Sequence, residues 1–238
     1  VSNLEIISTR NVFLDQLLSI VFINVIFTSF CILIVINGSN FIDGLNGVVI
    51  SYYSIIVFIL LSSDLNLGFY IQNQLFENLF LILIFLLILN YLNLIFLGDN
   101  GSYLIGFLFS ILLIRLHQNN VDLSPYFIIL LLWYPCFENL FSIIRKIITK
   151  KNPIDPDNNH LHQYLFLYLK SKFNFRSIYA NISSSILINL YNLLIFYWAS
   201  KNPNVTFFQI NLLFLNIVVY IVIYFLLRKS TFKEKLNH

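Results

Sequence analysis

The feature that most constrains this chain of 238 residues is a succession of apolar runs as long as a lipid bilayer is thick. A helix needs about 20 apolar residues to cross the hydrocarbon core, and several runs here reach that length. Only 11% of the residues are charged, against about 25% in a soluble domain. A very apolar soluble domain is therefore disfavoured, and we predict an integral membrane protein.

The runs are apolar on every side and lack the two-residue alternation of an outer-membrane barrel strand. Helices, by contrast, satisfy their own backbone hydrogen bonds in lipid. The sequence thus predicts an all-α, polytopic transmembrane helix bundle of about seven spans. The predicted spans are Leu17–Ile36, Gly47–Leu61, Leu79–Leu97, Ser102–Leu116, Tyr126–Ile148, Ile178–Trp198 and Phe208–Leu227.

Lysine and arginine are distributed unevenly between the two sets of connections that alternate along such a bundle. The set that includes the C-terminal end carries almost all of them, so the positive-inside rule places this set in the cytoplasm and the N-terminus outside. We therefore predict a single membrane domain over 1–238, with a cytoplasmic loop at 149–176 and a cytoplasmic tail at 228–238. The opposite set carries only Arg10, Arg115 and Lys201.

The first of three polar clusters, NGSNFIDGLNG, lies between the first two spans, on the predicted cytoplasmic side. Asn40, Asp43 and Asn46 follow one another at intervals of three, so a helix would project them from one face. Each such group costs several kcal/mol when placed in hydrocarbon. Capping of the next helix would explain one of these side chains, but not all three together with Asn37. The cluster therefore indicates a functional site.

The second cluster, GDNGS, stands at the start of an apolar helix on the same side. Asp99 lies between Gly98 and Gly101, where free N–H groups and the positive helix end favour phosphate. Its carboxylate also suits Mg²⁺, which is usually held by one or two carboxylates plus substrate phosphates. A plain helix cap is the alternative interpretation for Asp99.

The third cluster, PIDPDNNHLHQ, follows two lysines and ends in His160 and His162. Its prolines end the preceding helix. Zinc is disfavoured because the sequence offers no third or fourth His or Cys ligand nearby, whereas an anionic substrate fits the basic surroundings. Glu138 lies within an apolar run, seven residues before Arg145, with which it can share a face. It is a functional acid, one member of a structural pair or a residue at the membrane interface.

These residues predict a cytoplasm-facing, metal-assisted site for a phosphorylated, nucleotide-bearing substrate beside the lipid. A transporter or channel is one alternative, but it would place acids at mid-membrane and repeat broken helices in two halves. A non-catalytic membrane scaffold is the other alternative, and it would have no reason to keep Asn40, Asp43 and Asp99. Nucleic acid is not an expected partner.

NGSNFIDGLNGV, FLGDNGS and PIDPDNNHLHQ, in this order and at this spacing, resemble the motifs of the polyprenyl-phosphate N-acetylhexosamine-1-phosphate transferases. The resemblance covers almost the whole chain. It implies that a UDP-N-acetylhexosamine donates its sugar 1-phosphate to undecaprenyl phosphate, with release of UMP. This step begins cell-envelope polysaccharides such as O-antigen, teichoic acid or peptidoglycan at the cytoplasmic face of the bacterial inner (plasma) membrane. The donor sugar and the polymer stay open.

The resemblance also implies roles for the residues that match the motifs. Asn40 and Asp99 would be ligands of Mg²⁺, for which Mn²⁺ is the alternative. Asp43 would be an essential acid that orients polar groups around the diphosphate. His160 and His162 would contact the phosphate or the sugar of the donor.

The uridine end of the donor is assigned in the same way. Asn46 and Gly44 would lie beside the uracil ring, with Phe96 stacked on it, and Asn37 would belong to the same substrate-binding set. Members of the family are often dimers, so a homodimer surrounded by membrane lipids is a further expectation.

The sequence departs from the family pattern in several places. The usual DGLDG is DGLNG here, with Asn46 in place of Asp, and Gln163 replaces the third histidine. No two aspartates are adjacent anywhere, although the family carries a twin-aspartate motif upstream. The chain starts at Val1 and contains no methionine. We therefore expect the C-terminal part of a larger transferase, inactive without the upstream motif.

Overall fold

The computed structural model of the chain describes residues 4–62, 70–150 and 159–236. In these residues the regular structure is helical, and no β-strand is found. The described helices are α1 (Val12–Leu18), α2 (Val21–Ile42), α3 (Val48–Ser62), α4 (Tyr70–Tyr91), α5 (Gly98–Asn119), α6 (Pro125–Leu131), α7 (Trp133–Ile148), α8 (Leu161–Lys172), α9 (Ser177–Lys201) and α10 (Thr206–Leu236).

Five helices, α2, α4, α5, α9 and α10, are long and apolar enough to cross a membrane, and α6 with α7 makes a sixth if a bent pair counts as one span. With 15 residues, α3 is about 22 Å long, which is shorter than a hydrocarbon core of about 30 Å. The predicted all-α membrane bundle is confirmed. Six of the seven predicted spans correspond to these candidates, and the remaining one, Gly47–Leu61, corresponds to the shorter apolar helix α3.

The predicted span Tyr126–Ile148 is broken at Leu132, where α6 and α7 meet at 72°. Pro135 has no N–H group, so the carbonyl of Leu131 loses the donor that a continuous helix would supply. The hydroxyl of Tyr52 donates to this carbonyl at 2.9 Å. A neighbouring helix thus supplies the missing hydrogen bond and stabilises the bend.

Glycine lets α2 pack closely against α7 and α5. A Cβ atom on Gly38 would lie 2.2 Å from the carbonyl oxygen of Pro135, and one on Gly106 would lie 2.7 Å from Ser39 Oγ. Membrane helices commonly approach through small residues in this way. These contacts fix the C-terminal end of α2 beside the N-terminal ends of α5 and α7.

The connections gather at two opposite ends of the bundle, as the distribution of charge predicts. At one end, the Arg10 guanidinium donates to the carbonyls of Asp122 (2.6 Å) and Asn204 (2.7 Å), which joins the α5–α6 and α9–α10 connections. The α2–α3 connection, the start of α5 and the start of α8 lie together at the other end. The first two polar clusters and the described end of the third, residues 159–163, therefore belong to this second end.

Two segments predicted as loop and tail contain helix. The segment 149–176 includes α8, and 151–158 lies outside the described residues. The segment 228–238 is occupied by α10 as far as Leu236.

Candidate functional site

The first and second polar clusters meet at the ends of α2 and α5. The Asn40 amide Nδ2 donates to Asp99 Oδ1 at 2.9 Å and to Ser102 Oγ at 3.2 Å. The Ser102 hydroxyl in turn donates to the Asp99 carbonyl at 3.0 Å. Two motifs that are 59 residues apart in sequence therefore share one hydrogen-bonded patch.

Glycine and the helix end explain why Asp99 faces outward here. Gly98 has φ +63°, a left-handed conformation that side chains other than glycine rarely adopt, and it turns the chain into α5. Asp99 lies in the first turn of this helix, where the positive end of the helix dipole stabilises a carboxylate. The side chain is solvent-exposed, so it is accessible to a ligand.

Asp43 ends α2 and lies partly buried near this patch. Its backbone N–H donates to the Asn40 carbonyl at 3.1 Å. Burial, and then the negative charge of Asp99, raise the pKa of the Asp43 carboxyl to about 7. Asp43 therefore exchanges a proton near neutral pH, which an ordinary aspartate does not.

Asn46 is held by a network of asparagines from α4, from the connection after α4 and from α9. Its N–H donates to Asn181 Oδ1 (2.9 Å), and its side-chain amide donates to Asn93 Oδ1 (2.6 Å) and to the Asn90 carbonyl (3.3 Å). The N–H of the next residue, Gly47, donates to Asn90 Oδ1 at 2.6 Å. Sequence reasoning missed these partners, although lone amides beside apolar runs are a signal that could have pointed to them.

The third cluster reaches the first one through its histidines. The imidazole of His162 is fully buried, and a Cβ atom on Gly44 would lie 2.2 Å from its Nε2. Burial, only partly offset by the nearby Glu138 carboxylate, lowers the pKa of His162 to about 4, so the ring is neutral at physiological pH. His160 is only 4% exposed and places its Nδ1 2.9 Å from Glu138 Oε1. Glu138 therefore pairs with His160 of the third cluster.

The remaining candidates lie at the rim. Asn37 is exposed on α2, one turn before Asn40. Phe96 is 73% exposed on the connection that leads into Asp99. Both are accessible to a bound molecule, and their roles stay predictions.

The residues of the patch fit a hard divalent cation. The Asp99 carboxylate is exposed, the Asn40 amide touches it, and a second carboxylate, Asp43, lies within electrostatic range. Among the described residues no three His, Cys, Asp or Glu side chains converge, so a softer, fully protein-ligated metal does not fit. Mg²⁺ takes few protein ligands and completes its shell with water and phosphate, which matches this donor set.

Comparison with known proteins supports one family. Residues 1–117 match the family model described as glycosyl transferase family 4, and this range includes the first two polar clusters. Over 64 residues the chain is 31% identical to the undecaprenyl-phosphate alpha-N-acetylglucosaminyl 1-phosphate transferase of Thermotoga maritima. That similarity covers 27% of this chain and 21% of the Thermotoga protein. No solved structure matches the chain.

Proposed function

We propose, because residues 1–117 match the model of glycosyl transferase family 4, that this chain carries the site of a membrane-embedded sugar-1-phosphate transferase. The donor is a UDP-N-acetylhexosamine, the acceptor is undecaprenyl phosphate, and the products are the lipid-linked sugar diphosphate and UMP. The observation that carries the proposal is the contact between Asn40 and Asp99, which joins two distant motifs at one end of the bundle.

The reaction is a displacement at phosphorus. An oxygen of the lipid phosphate forms a bond to the β-phosphorus of the donor. The bond between that phosphorus and the bridging oxygen breaks, and the bridging oxygen leaves with UMP. Catalysis of such a transfer consists mainly of positioning and of stabilising the negative charge of the transition state.

Asp99 and Asn40 would hold the cation, Mg²⁺ or in its place Mn²⁺. When bound, the cation would neutralise charge on the donor diphosphate. The start of α5 contributes its own positive end and free N–H groups to the same region.

Asp43 supplies the acid of the site. Before a cation binds, burial and the charge of Asp99 raise the pKa of Asp43 to about 7, so its carboxyl can hold a proton at neutral pH and donate a hydrogen bond to an arriving phosphate oxygen. We assign it the role of orienting polar groups around the diphosphate.

Phe96, Asn46 and Asn37 would form the uridine side of the site. Phe96 offers an exposed ring for stacking, and Asn46 is already oriented by Asn93 and Asn90. His160 and His162 are buried, so they would act on the donor indirectly, through the turn at Gly44 against which His162 packs. The reaction would take place at the cytoplasmic face of the bacterial inner membrane, among membrane lipids and in a homodimer.

The experiment that tests this function is radiolabel transfer from UDP-N-acetylglucosamine to undecaprenyl phosphate, in membranes that contain the protein expressed from its whole gene. We expect labelled lipid and UMP that depend on added Mg²⁺. Asp99→Ala should lower the rate by about 100-fold or more, because it removes a charge that stabilises the reacting phosphates. Asp122→Ala is the matched control, since its exposed carboxylate lies at the opposite end of the bundle.

Each outcome is informative. Product from a different UDP-N-acetylhexosamine, but not from UDP-N-acetylglucosamine, would keep the reaction and change the sugar. The absence of product from every donor, with folded protein in the membrane, would overturn the proposal in favour of a non-catalytic scaffold.

A further inference from the structure

Glu138 is a carboxylate buried in the interior of α7, a position that an ionisable group occupies only with partners. Its side chain is 0% exposed. His160 Nδ1 lies 2.9 Å from Oε1, and the Tyr220 hydroxyl donates to Oε2 at 2.6 Å. Each carboxylate oxygen therefore has its own partner, one from α10 and one from the residue that precedes α8.

The imidazole of His160 is fixed on several sides. Its ring is parallel to that of His162, with planes 2° apart and centroids at 5.5 Å, and the Phe41 ring lies at 5.6 Å. Its backbone N–H donates to Gln163 Oε1 at 3.2 Å, at the start of α8. The ring therefore has little freedom to turn away from Glu138.

Hydrogen bonding to a carboxylate decides where the proton of a neutral imidazole resides. A carboxylate only accepts, so the nitrogen that faces it must carry the hydrogen. In a neutral His160 this nitrogen is Nδ1, which leaves Nε2 with the free electron pair. Carboxylates orient histidines in many functional sites in this way.

His162 links this arrangement to the turn that carries Asp43. It is fully buried, and both of its ring nitrogens lack a hydrogen-bond partner in the described structure. Its Nε2 faces Gly44, the residue after Asp43, at a distance that leaves no room for a Cβ atom. If His160 changed its orientation, it would therefore displace the stacked His162 ring, and the displaced ring would move the turn that carries Asp43.

We propose that Glu138 is a positioning residue of the site: it holds His160 in the Nδ1–H tautomer, and the stacked pair of histidines holds the turn that carries Asp43. Glu138 itself touches no substrate, because it is buried behind His160. The catalytic consequence rests on the proposed transferase function, whereas the tautomer is a property of the protein alone.

The first measurement is therefore independent of activity. The chain has four histidines, so ¹⁵N-histidine NMR of the whole protein in detergent micelles gives a countable set of ring signals, and His160→Gln identifies the signals of His160. We expect the His160 proton on Nδ1. Glu138→Gln should shift the proton toward Nε2, and Glu138→Asp should restore at least part of the Nδ1–H form.

Tyr220→Phe is the matched control. It removes the other hydrogen bond of the same carboxylate and leaves the bond to His160 in place. The tautomer of His160 should not change. If Glu138→Gln does not fold, the two remaining variants still test the inference. It requires that His160 carries its proton on Nδ1 in both Glu138→Asp and Tyr220→Phe.

The second measurement is transfer activity. Glu138→Gln should lower kcat about 10-fold or more, in the range found when a residue that orients a functional histidine is lost. Glu138→Asp should recover part of the rate. A His160 proton on Nε2 in the unaltered protein would overturn the inference. So would a Glu138→Gln protein in which the His160 tautomer is shifted but the transfer activity is unchanged. Failure of the unaltered protein to transfer any sugar would instead count against the proposed function and leave the tautomer result standing.

Discussion

Replacement of Gly38 by alanine is the sharpest test of how α2 is positioned. The added Cβ would lie 2.2 Å from the carbonyl oxygen of Pro135 and 2.5 Å from its carbonyl carbon. Carbon–oxygen contacts are normally no shorter than about 3.4 Å, so α2 and α7 would have to separate by about 1 Å. Both atoms belong to the backbone, so no side-chain rotation relieves the contact. Overpacking of this kind destabilises a protein by about 1–3 kcal/mol.

The assay is reversible unfolding in detergent, followed by the fluorescence of the buried Trp133. The control is Gly98→Ala, where a Cβ meets nothing within 4 Å and the penalty of about 1 kcal/mol comes from the positive φ alone. Transfer activity should fall with Gly38→Ala as well, because Asn40 lies half a turn further along the same helix. A Gly38→Ala protein as stable as Gly98→Ala would refute the close backbone approach of α2 and α7.

Three further results are expected. The pKa of His162 falls from 6.5 in the unfolded chain to about 4 in the folded protein, so its contribution to stability is complete above pH 6.5 and is lost as the pH falls toward 4. Thermal unfolding at pH 7.5 and at pH 5 should therefore show a loss of about 2 kcal/mol that His162→Leu lacks. Asn46→Asp cannot donate to the Asn93 and Asn90 oxygens and should lower the free energy of unfolding by about 1–3 kcal/mol, measured by denaturant titration. Tyr52→Phe leaves the Leu131 carbonyl without its donor and should lower the free energy of unfolding by a similar amount, about 1–3 kcal/mol. An unchanged midpoint of denaturant unfolding would show that the bend does not need this bond.

The helical membrane fold is predictable because the length and the uniformity of the apolar runs leave few alternatives. The bend at Leu132 is predictable only in part. Pro135 is visible inside the run, and proline commonly bends a helix. The direction of the bend, and the hydroxyl of Tyr52 that stabilises it, depend on a helix some eighty residues earlier, which local sequence does not specify.

In the candidate site, too, the sequence predicts which residues matter but not all of the partners that they meet across the bundle. Asn40 and Asp99 were predicted to act together, and the structure brings them into contact. Asn93 and Asn181 were not predicted as partners of Asn46, because an amide beside an apolar run is equally able to face water, lipid headgroups or another helix. Which of these it meets is decided by packing across the bundle.

The turn between α2 and α3 explains why the three polar clusters come together at all. In the last turn of α2, Asn40 bonds to α5. In the turn that follows, Asn46 bonds to α4, to the residues just after it and to α9, and Gly44 packs on the histidine of α8. Helices in lipid gain little from burying apolar surface against one another, so hydrogen bonds and close small-residue contacts determine how they are placed. The residues that would bind the substrate therefore also hold the helix ends together, and substitutions in this turn should alter stability and activity jointly. A substitution that alters activity alone should be found at the exposed Phe96, whereas a change at Asp99 also removes the bond from Asn40 and should affect both.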